Sequence, residues 1–327
     1  MDRQVPAVTW LLSSEHATVR YLTLTQLLDL PEGDPEVQAS RTEILADPWI
    51  EALYSGQGSD GGFTQPDGSS IHAYSKWTGA HWRLVSLVEL GIPAGEPRAV
   101  AALEPELDWL TGKTHRSRIP VINGRTRRCT SQEGNAVAAC CRLGLAGDPR
   151  VRFLVESLVS WQWPDGGWNC DKRPQASHSS FHESLIPLWG LIEYHHATGS
   201  PDVVNTIERA TDFFLKHRLF RSERSGEMIH PEMIELHYPP YWHYDILQAL
   251  LVLSRIGLLK DERCSEALDI LQAKRHPDGT WRASRHYWRP PGGRLYQDPV
   301  DWGRRGPNLM ITLNALRVLK SAGRIKI

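Results

Sequence analysis

A short turn of similar chemistry occurs three times along the chain, and it constrains the fold more than any other feature. The clearest copy runs from Gln162 to Trp168 and reads Q-W-P-D-G-G-W, and related copies run from Gln57 to Phe63 and from Gln272 to Trp281. Each copy has a Gln, then an Asp-Gly pair, then an aromatic residue two positions after the Gly. Because Gly tolerates the backbone angles of a sharp reversal and Asp can cap, the repeat predicts a recurring connection between similar structural units.

Two kinds of helical segment alternate between these turns. One kind is apolar almost all round, whereas the other is amphipathic and more charged. The pattern has a period of about 50–60 residues, as expected of a repeated helical pair. The apolar segments are predicted at 14–30, 76–91, 131–145, 179–199, 241–258 and 305–323, and the charged ones at 35–53, 97–112, 148–161, 200–217 and 260–274.

Alternating helices of these two kinds have two packing solutions. One is an open superhelical solenoid, and the other is a closed double ring with the apolar helices inside. The ring covers an apolar inner set better, and the number of pairs is enough to close it. We therefore predict an all-α fold, an (α/α)6 toroid, as a single domain over residues 1–327 with its core at 8–323 and no β-strands.

Composition excludes several classes of function. The net charge is -1 and the pI is about 6.9, so no overall positive field attracts nucleic acid or an anionic membrane. The apolar runs are too short for a transmembrane segment, and the N-terminus lacks a signal-peptide pattern. Five cysteines without a repeated paired spacing are typical of a reduced protein. We expect a cytoplasmic protein with no nucleic-acid partner.

In a closed ring the inner helices run parallel, so their N-termini gather at one mouth with the positive ends of their dipoles. Polar and aromatic residues concentrate at these predicted helix starts, and only some of them, such as Ser131, are explained as N-caps. The predicted catalytic residues at the mouth are Asp245, His243, His182, Glu183 and Glu133. The predicted substrate-binding residues are Trp77, His81, Trp82, Asn135, Phe181, Tyr241, Trp242, Tyr244, Trp302 and Asn308.

Two kinds of chemistry fit these residues. In the first, a carboxyl or a charged imidazole donates a proton to an alkene, and aromatic faces stabilise the resulting cation. In the second, a zinc ion is bound, because thiolate, imidazole and carboxylate are zinc ligands. The predicted zinc ligands are Cys170, His182, His243 and Asp245.

Two basic connectors, 113–128 and 282–294, stand next to the predicted helix starts. Their arginines are suited to covering the mouth and binding an anionic group such as a diphosphate. The alternative interpretation is that both connectors are solvated loops. An anion-binding role would place the substrate's charged end at the mouth.

The arrangement of Gln, a short spacer and Gly-x-Trp at the junction of outer and inner helices resembles the QW repeat of squalene–hopene cyclases and related terpenoid cyclases. Gln162–Trp168 is a fair match, Gln272–Trp281 is a stretched one, and Phe63 replaces the Trp of the remaining copy. The helix alternation resembles the α/α-toroid that these cyclases share with protein prenyltransferase β subunits. The cyclases' D-x-D-D motif is absent, and so is the prenyltransferases' Asp-x-Cys at the expected distance after Trp168.

The resemblance implies an enzyme that acts in the central cavity on an isoprenoid or a similarly apolar small molecule. Two alternatives remain open: a zinc-dependent transferase or lyase, and a non-catalytic toroid that binds a ligand or serves as a scaffold. A partner subunit is compatible with the sequence, since prenyltransferase-like toroids require one.

Overall fold

Helices make up the body of the chain in the computed structural model, which describes residues 6–292 and 297–327. The described residues form the α-helices α1 (Pro6–Leu12), α2 (Ala17–Leu22), α3 (Pro35–Glu43), α4 (Pro48–Tyr54), α5 (Ala80–Glu89), α6 (Pro97–Thr111), α7 (Lys113–Arg116), α8 (Ser131–Arg142), α9 (Pro149–Trp161), α10 (Phe181–Thr198), α11 (Val204–Lys216), α12 (Ile246–Ser254), α13 (Ser265–Ala273) and α14 (Leu309–Ser321). A π-helical turn, Thr23–Leu27, extends α2, and short 3-10 turns lie at Ile44–Ala46, Pro201–Val203, Pro231–Ile234, Leu258–Lys260 and Glu262–Cys264.

These helices form two concentric layers. The inner layer contains α2, α5, α8, α10, α12 and α14, and the outer layer contains α1, α3 with α4, α6, α9, α11 and α13. Burial separates the two sets, since α8 is buried along its whole length except at Arg142. In the outer α9 only one face is buried, as expected of an amphipathic covering helix. The predicted alternation of inner and outer helices is confirmed, and α1 is an outer helix that the sequence patterns did not predict.

The last helical pair packs against the first, which closes the ring. The Lys320 Nζ at the end of α14 donates a hydrogen bond of 2.6 Å to the carbonyl oxygen of Leu27. The ring of Trp302 lies 5.1 Å from that of Trp49, so the connector before α14 also contacts the outer helix α4. The structure is therefore an all-α toroid rather than an open solenoid.

Two copies of the recurring turn are hydrogen-bonded to the next outer helix along the chain. The side-chain amide of Gln57 donates to the carbonyl of Arg98 at 2.8 Å, and that of Gln162 donates to the carbonyl of Thr206 at 2.9 Å. Gly166 has a φ of +100°, and a Cβ there would overlap the carbonyl of Arg209 in α11. Only glycine allows this approach, because any side chain would collide with backbone. The indole nitrogens of Trp168 and Trp281 each donate to the carbonyl ten residues earlier.

Several sequence predictions need correction. Two short hairpins exist where no strand was predicted: β1 (Phe63–Thr64) pairs with β2 (Ser70–Ile71), and β3 (Val121–Ile122) pairs with β4 (Arg125–Thr126). Asn123 and Gly124 have φ of 52° and 70°, which is the Asn-Gly hairpin signal. The helix α12 begins at Ile246 rather than at 241, because Asp245 is its N-cap. The predicted basic connector 282–294 ends at Arg294, which lies outside the described residues.

Candidate functional site

The inner helices α8 and α10 approach almost to backbone contact, and this brings their N-terminal ends together. A Cβ on Gly134 would lie 2.7 Å from the backbone of Ile186, and one on Gly190 would lie 2.5 Å from the carbonyl oxygen of Gly134. Just before α8, the Thr130 hydroxyl donates to the carbonyl of Glu183 at 2.8 Å. The segments that precede both helices are therefore held side by side at the mouth of the ring.

Two thiols and a carboxyl meet at this point. Cys129 precedes α8, Cys170 lies in the connector before α10, and Glu183 is in the first turn of α10. One ligand atom from each of the three residues lies within 4.8 Å of the other two. In the described part of the chain, this is the one group of three such side chains that is close enough to bind a metal ion.

Burial and close contacts shift the pKa values of this cluster. Burial raises the pKa of Glu183, although the backbone N–H of Ser131 donates to its carboxylate at 3.2 Å. The thiol of Cys170 donates to the same carboxylate at 3.6 Å. The neighbouring Cys129 lowers the pKa of Cys170, and the same contact, with burial, raises the pKa of Cys129. Thiols and carboxyls bind a metal ion in their deprotonated forms, so a cation bound here would displace protons from these groups.

The two thiols of this cluster, Cys129 and Cys170, line a pocket of about 540 Å³, whereas Glu183 is not among its lining residues. One wall is the connector that the sequence predicted to cover the mouth, including α7 and the residues up to Arg128. Among the described residues that line it, Asp108 is the one acid, and that carboxylate is 3.4 Å from Arg150. The partly exposed Trp109 supplies an aromatic surface. The cationic side chains of the lining are Lys113, Arg118, Arg127, Arg128 and Lys172.

Hydrogen bonds and an ion pair connect this wall of the pocket with the inner helix α8. Arg128 donates to the Glu133 carboxylate at 2.7 Å and to Nε2 of His115 at 2.6 Å, and it also contacts Gln132. Because Nε2 of His115 accepts a hydrogen bond, the imidazole proton belongs on Nδ1. Glu133, a predicted catalytic residue, is thus held in an ion pair beneath the pocket and does not reach the three-residue cluster.

The four predicted zinc ligands do not form one site. Cys170 is grouped with Cys129 and Glu183, and not with His182, His243 and Asp245. Asp245 is completely buried and caps α12, accepting from the backbone N–H of Gln248 at 2.9 Å while pairing with His237 at 2.8 Å. Asp245 is instead engaged by its cap and its ion pair, while the ring of His243 stays 6.2 Å from that of His182 at the start of α10.

The two predicted catalytic histidines are neutral aromatic groups in this environment. The His243 ring is stacked between Trp242, at 4.4 Å, and Tyr287, at 3.4 Å. Burial and the neighbouring His237 lower its pKa to about 2. Burial, together with His237, also lowers the pKa of His182, whose ring is 6.2 Å from that of His243. Neither imidazole is charged at neutral pH.

Four of the predicted binding residues form an aromatic cluster at the mouth. Trp77 is stacked on Tyr241 at 4.1 Å, and Trp82 and Trp242 lie 5.1 Å from Trp77. The ammonium of Lys76 is 3.9 Å from the centroid of Trp242, a cation–π contact. These distances bring the four residues together, and their role in binding a substrate stays a prediction.

The other predicted binding residues have structural contacts. His81 bridges Glu106, at 2.7 Å, and Asn135, at 3.2 Å, so it joins α5, α6 and α8. Asn308 is the N-cap of α14 and accepts from the backbone of Ile311. The remaining three are packed in aromatic contacts: Phe181 on Phe213 and Tyr244, Tyr244 on Phe214, and Trp302 on Trp49 and Tyr238.

The centre of the ring is nearly filled by side chains. The cavity there has a volume of about 40 Å³, whereas pockets that hold small ligands usually have about 300–1,000 Å³. Its lining is mixed, because Glu89, Arg255 and Arg317 project into it beside Val85 and Leu185. The described residues therefore leave no large apolar cavity at the ring centre, whereas the pocket over the two thiols has about 540 Å³.

Sequence reasoning missed two residues at the mouth. Cys129 was not singled out, although it stands two residues before the predicted start of an inner helix, as Glu133 stands two residues after it. Asp298 was also missed, because it lies in a connector with no periodic pattern. It is buried against the Tyr241 hydroxyl, and burial raises its pKa to about 6.

No protein-family model matches the chain, and no curated protein does. Among solved structures, it is similar to a C-terminal part of alpha-2-macroglobulin from Escherichia coli, with 14% identity and a TM-score of 0.43 over 97% of this chain and 41% of that one. It is similar to a protein from Actinoplanes, with 16% identity and a TM-score of 0.43 over 98% and 89% of the two chains. It is also similar to a variant of the type II terpene cyclase MstE from Scytonema, with 15% identity and a TM-score of 0.45 over 98% and 96%.

The alpha-2-macroglobulin structure is more than twice as long as the part of it that this chain covers. All three identities are below 25% and all three TM-scores are below 0.5, so none of these similarities bears on function. None of the helices in the described ranges is both long and apolar enough to cross a bilayer.

Proposed function

We propose that this protein is a zinc-dependent enzyme, a transferase or lyase, whose reaction centre is the mouth pocket over Cys129, Cys170 and Glu183. The observation that supports this proposal most strongly is the convergence within 4.8 Å of a carboxyl and two thiols that line an open pocket. The substrate is a small anionic molecule. The enzyme works in a reducing compartment such as the cytoplasm, where both thiols remain available to a metal.

The donor set fits zinc. Thiolate and carboxylate are both zinc ligands, and three protein ligands leave a fourth position free, as in catalytic rather than structural zinc sites. The N–H of Ser131 orients the Glu183 carboxylate, which is the kind of outer contact that fixes a metal ligand. The thiol of Cys170 donates to the Glu183 carboxylate at 3.6 Å, and a cation would bind both groups in place of that proton.

A zinc ion held by Cys129, Cys170 and Glu183 would supply a Lewis acid to a substrate in the pocket. The chain's own residues would do the rest. Lys113, Arg118 and Lys172 line the pocket and attract an anionic substrate. Trp109 offers its ring to the apolar part of that substrate. His115 also lines the pocket, and with its proton on Nδ1 it can donate a hydrogen bond to a substrate there.

A cyclase-like enzyme that acts on an isoprenoid is the second candidate, and one observation favours it. Asp298, with a pKa of about 6, lies against Tyr241 in the aromatic cluster, which is the combination that proton-initiated carbocation chemistry needs. The cavity of about 40 Å³ at the ring centre weighs against it, because an isoprenoid does not fit without rearrangement. Incubation with geranylgeranyl diphosphate and analysis for cyclic products tests this candidate directly.

Metal analysis of the purified, reduced protein tests the zinc proposal. We expect one zinc per chain by native mass spectrometry, and loss of that zinc in Cys129→Ser and Cys170→Ser. Cys264→Ser is the matched control, because Cys264 is buried in another repeat. Zinc that survives both pocket substitutions would contradict the proposal. One zinc per chain without turnover of any anionic substrate would instead indicate the non-catalytic, ligand-binding alternative.

A further inference from the structure

The five cysteines divide into two groups by exposure. Cys140 and Cys264 are completely buried, and Cys141 is buried with 9% of its surface exposed. Cys129 and Cys170 are only half-buried, and both line the mouth pocket. A dissolved reagent therefore meets these two thiols first.

The two exposed thiols are also neighbours. Their sulfur atoms lie within 4.8 Å of each other. A disulfide needs the sulfurs at about 2.05 Å, which side-chain rotation and a small backbone movement can provide. Both residues lie outside helices: Cys129 stands two positions before α8, and Cys170 is in the connector between α9 and α10. The backbone at both ends can therefore adjust without breaking a helix.

The pocket around the two thiols is open to a small polar oxidant. Five cationic side chains line it, and Arg127 and Arg128 directly precede Cys129 in the chain. A partly exposed thiol beside a second thiol is the arrangement in which oxidation ends at a disulfide.

We propose that Cys129 and Cys170 form a reversible disulfide, and that this bond switches off metal binding at the mouth. With hydrogen peroxide as the oxidant, one thiolate attacks an oxygen, the O–O bond breaks, and a sulfenic acid and hydroxide form. The second thiol then attacks that sulfur, the S–S bond forms, and the sulfenic oxygen leaves as water. In total, two thiols and one peroxide give one disulfide and two waters, and a dithiol reductant reverses the change.

The disulfide itself is independent of any metal, whereas its effect on zinc rests on the proposed function. A disulfide sulfur has no thiolate to offer, so oxidation removes two of the three donors at once. Glu183 remains as the one donor, and one carboxylate does not retain zinc. The oxidised protein should therefore lose zinc without unfolding, because the bond joins two connectors that are already adjacent.

The experiment uses the full chain, reduced and freed of metal, and treated with limiting hydrogen peroxide. Thiol titration in denaturant should fall from five free thiols per chain to three, the difference being the two pocket cysteines. Peptide mapping without reduction should find one cross-linked pair, Cys129 with Cys170. Zinc affinity, measured by competition with a chromophoric chelator, should fall at least 100-fold and recover after treatment with dithiothreitol.

Variants make the outcomes separable. Cys264→Ser should form the same cross-link as the unchanged protein, whereas Cys129→Ser and Cys170→Ser should form none within the chain. If the reduced protein binds zinc but peroxide gives only sulfinic acids, or a different pair, the disulfide proposal is overturned and the zinc proposal stands. If the cross-link forms but the reduced protein binds no zinc, the zinc proposal fails and the disulfide stands. A cross-linked protein with undiminished zinc affinity overturns the switch.

Discussion

At the scale of single residues, Glu183 is the buried carboxyl that would bind the metal ion together with the two thiols. Its carboxyl is buried, receives the Ser131 N–H, and faces both thiols. Glu183→Gln keeps the shape and removes the charged ligand oxygen. We expect zinc affinity to fall by more than the roughly 10–100-fold that outer contacts cost, while the free energy of unfolding of the metal-free protein changes little. Isothermal titration with zinc measures the first quantity, and urea unfolding measures the second.

A matched change separates this effect from general disturbance. Glu133→Gln removes a carboxylate that is equally buried but pairs with Arg128 and not with the thiols. Zinc affinity should change far less in this variant than in Glu183→Gln. Equal losses in both variants would mean that the metal is held by the charge of the region rather than by the three-residue cluster.

Asp298 predicts a pH dependence of stability. Burial raises its pKa from 3.8 to about 6, so the folded state binds a proton more tightly than the unfolded state. The stabilising contribution is therefore complete below pH 3.8 and is lost as the pH rises through 6. In the unchanged protein, the free energy of unfolding should fall by about 2–3 kcal/mol across this pH window because of Asp298. Asp298→Asn should remove that fall. Urea unfolding at several pH values measures it, with the exposed Asp301→Asn as control, and an unchanged slope in Asp298→Asn would contradict the assignment.

At the scale of helices, the site depends on how closely α8 and α10 cross. Gly134→Ala places a methyl 2.7 Å from the backbone of Ile186, so the two helices must separate. We expect a loss of about 1–3 kcal/mol in the free energy of unfolding, because overpacking outweighs the helix propensity gained. Zinc affinity should fall about tenfold or more, since ligands must stay close to their productive geometry.

Gly147→Ala is the control for this prediction, because a methyl there meets nothing within 4 Å. It should leave both stability and zinc affinity nearly unchanged. If Gly134→Ala lowers stability but not zinc affinity, the crossing supports the core and does not position the site.

At the scale of the whole molecule, ring closure couples the unfolding of the first and last helical pairs, although they are far apart in sequence. Trp302 is buried against Trp49, so it joins the last connector to the first outer layer. Trp302→Ala should cost about 3–5 kcal/mol. In a closed ring, hydrogen exchange should quicken in both α1–α2 and α13–α14. In an open array, exchange would quicken only beside the altered repeat, and that result would contradict closure. Trp161→Ala, at the half-buried end of α9, is the matched control.

The sequence predicted the fold further than it predicted the site. Helical periodicity and the repeated Gln–Asp-Gly–aromatic turn are local signals, so they identified the layers, their order and the closed ring. The site depends instead on which helix starts come together. No local sequence pattern shows that Gly134 allows α8 to approach α10. Nor does one show that the Asp245 carboxylate caps α12 and is therefore not available as a ligand. The prediction therefore found Cys170 and Glu183 at the mouth. It grouped Cys170 with His182, His243 and Asp245, and it overlooked Cys129.

X-ray absorption at the zinc edge of the reduced, zinc-loaded protein tests the central claim most directly. The account predicts two sulfur neighbours at about 2.3 Å with oxygen at about 2.0–2.2 Å, and one sulfur fewer in Cys129→Ser or in Cys170→Ser if either retains metal. A spectrum with only nitrogen and oxygen neighbours, unchanged by both substitutions, would contradict it.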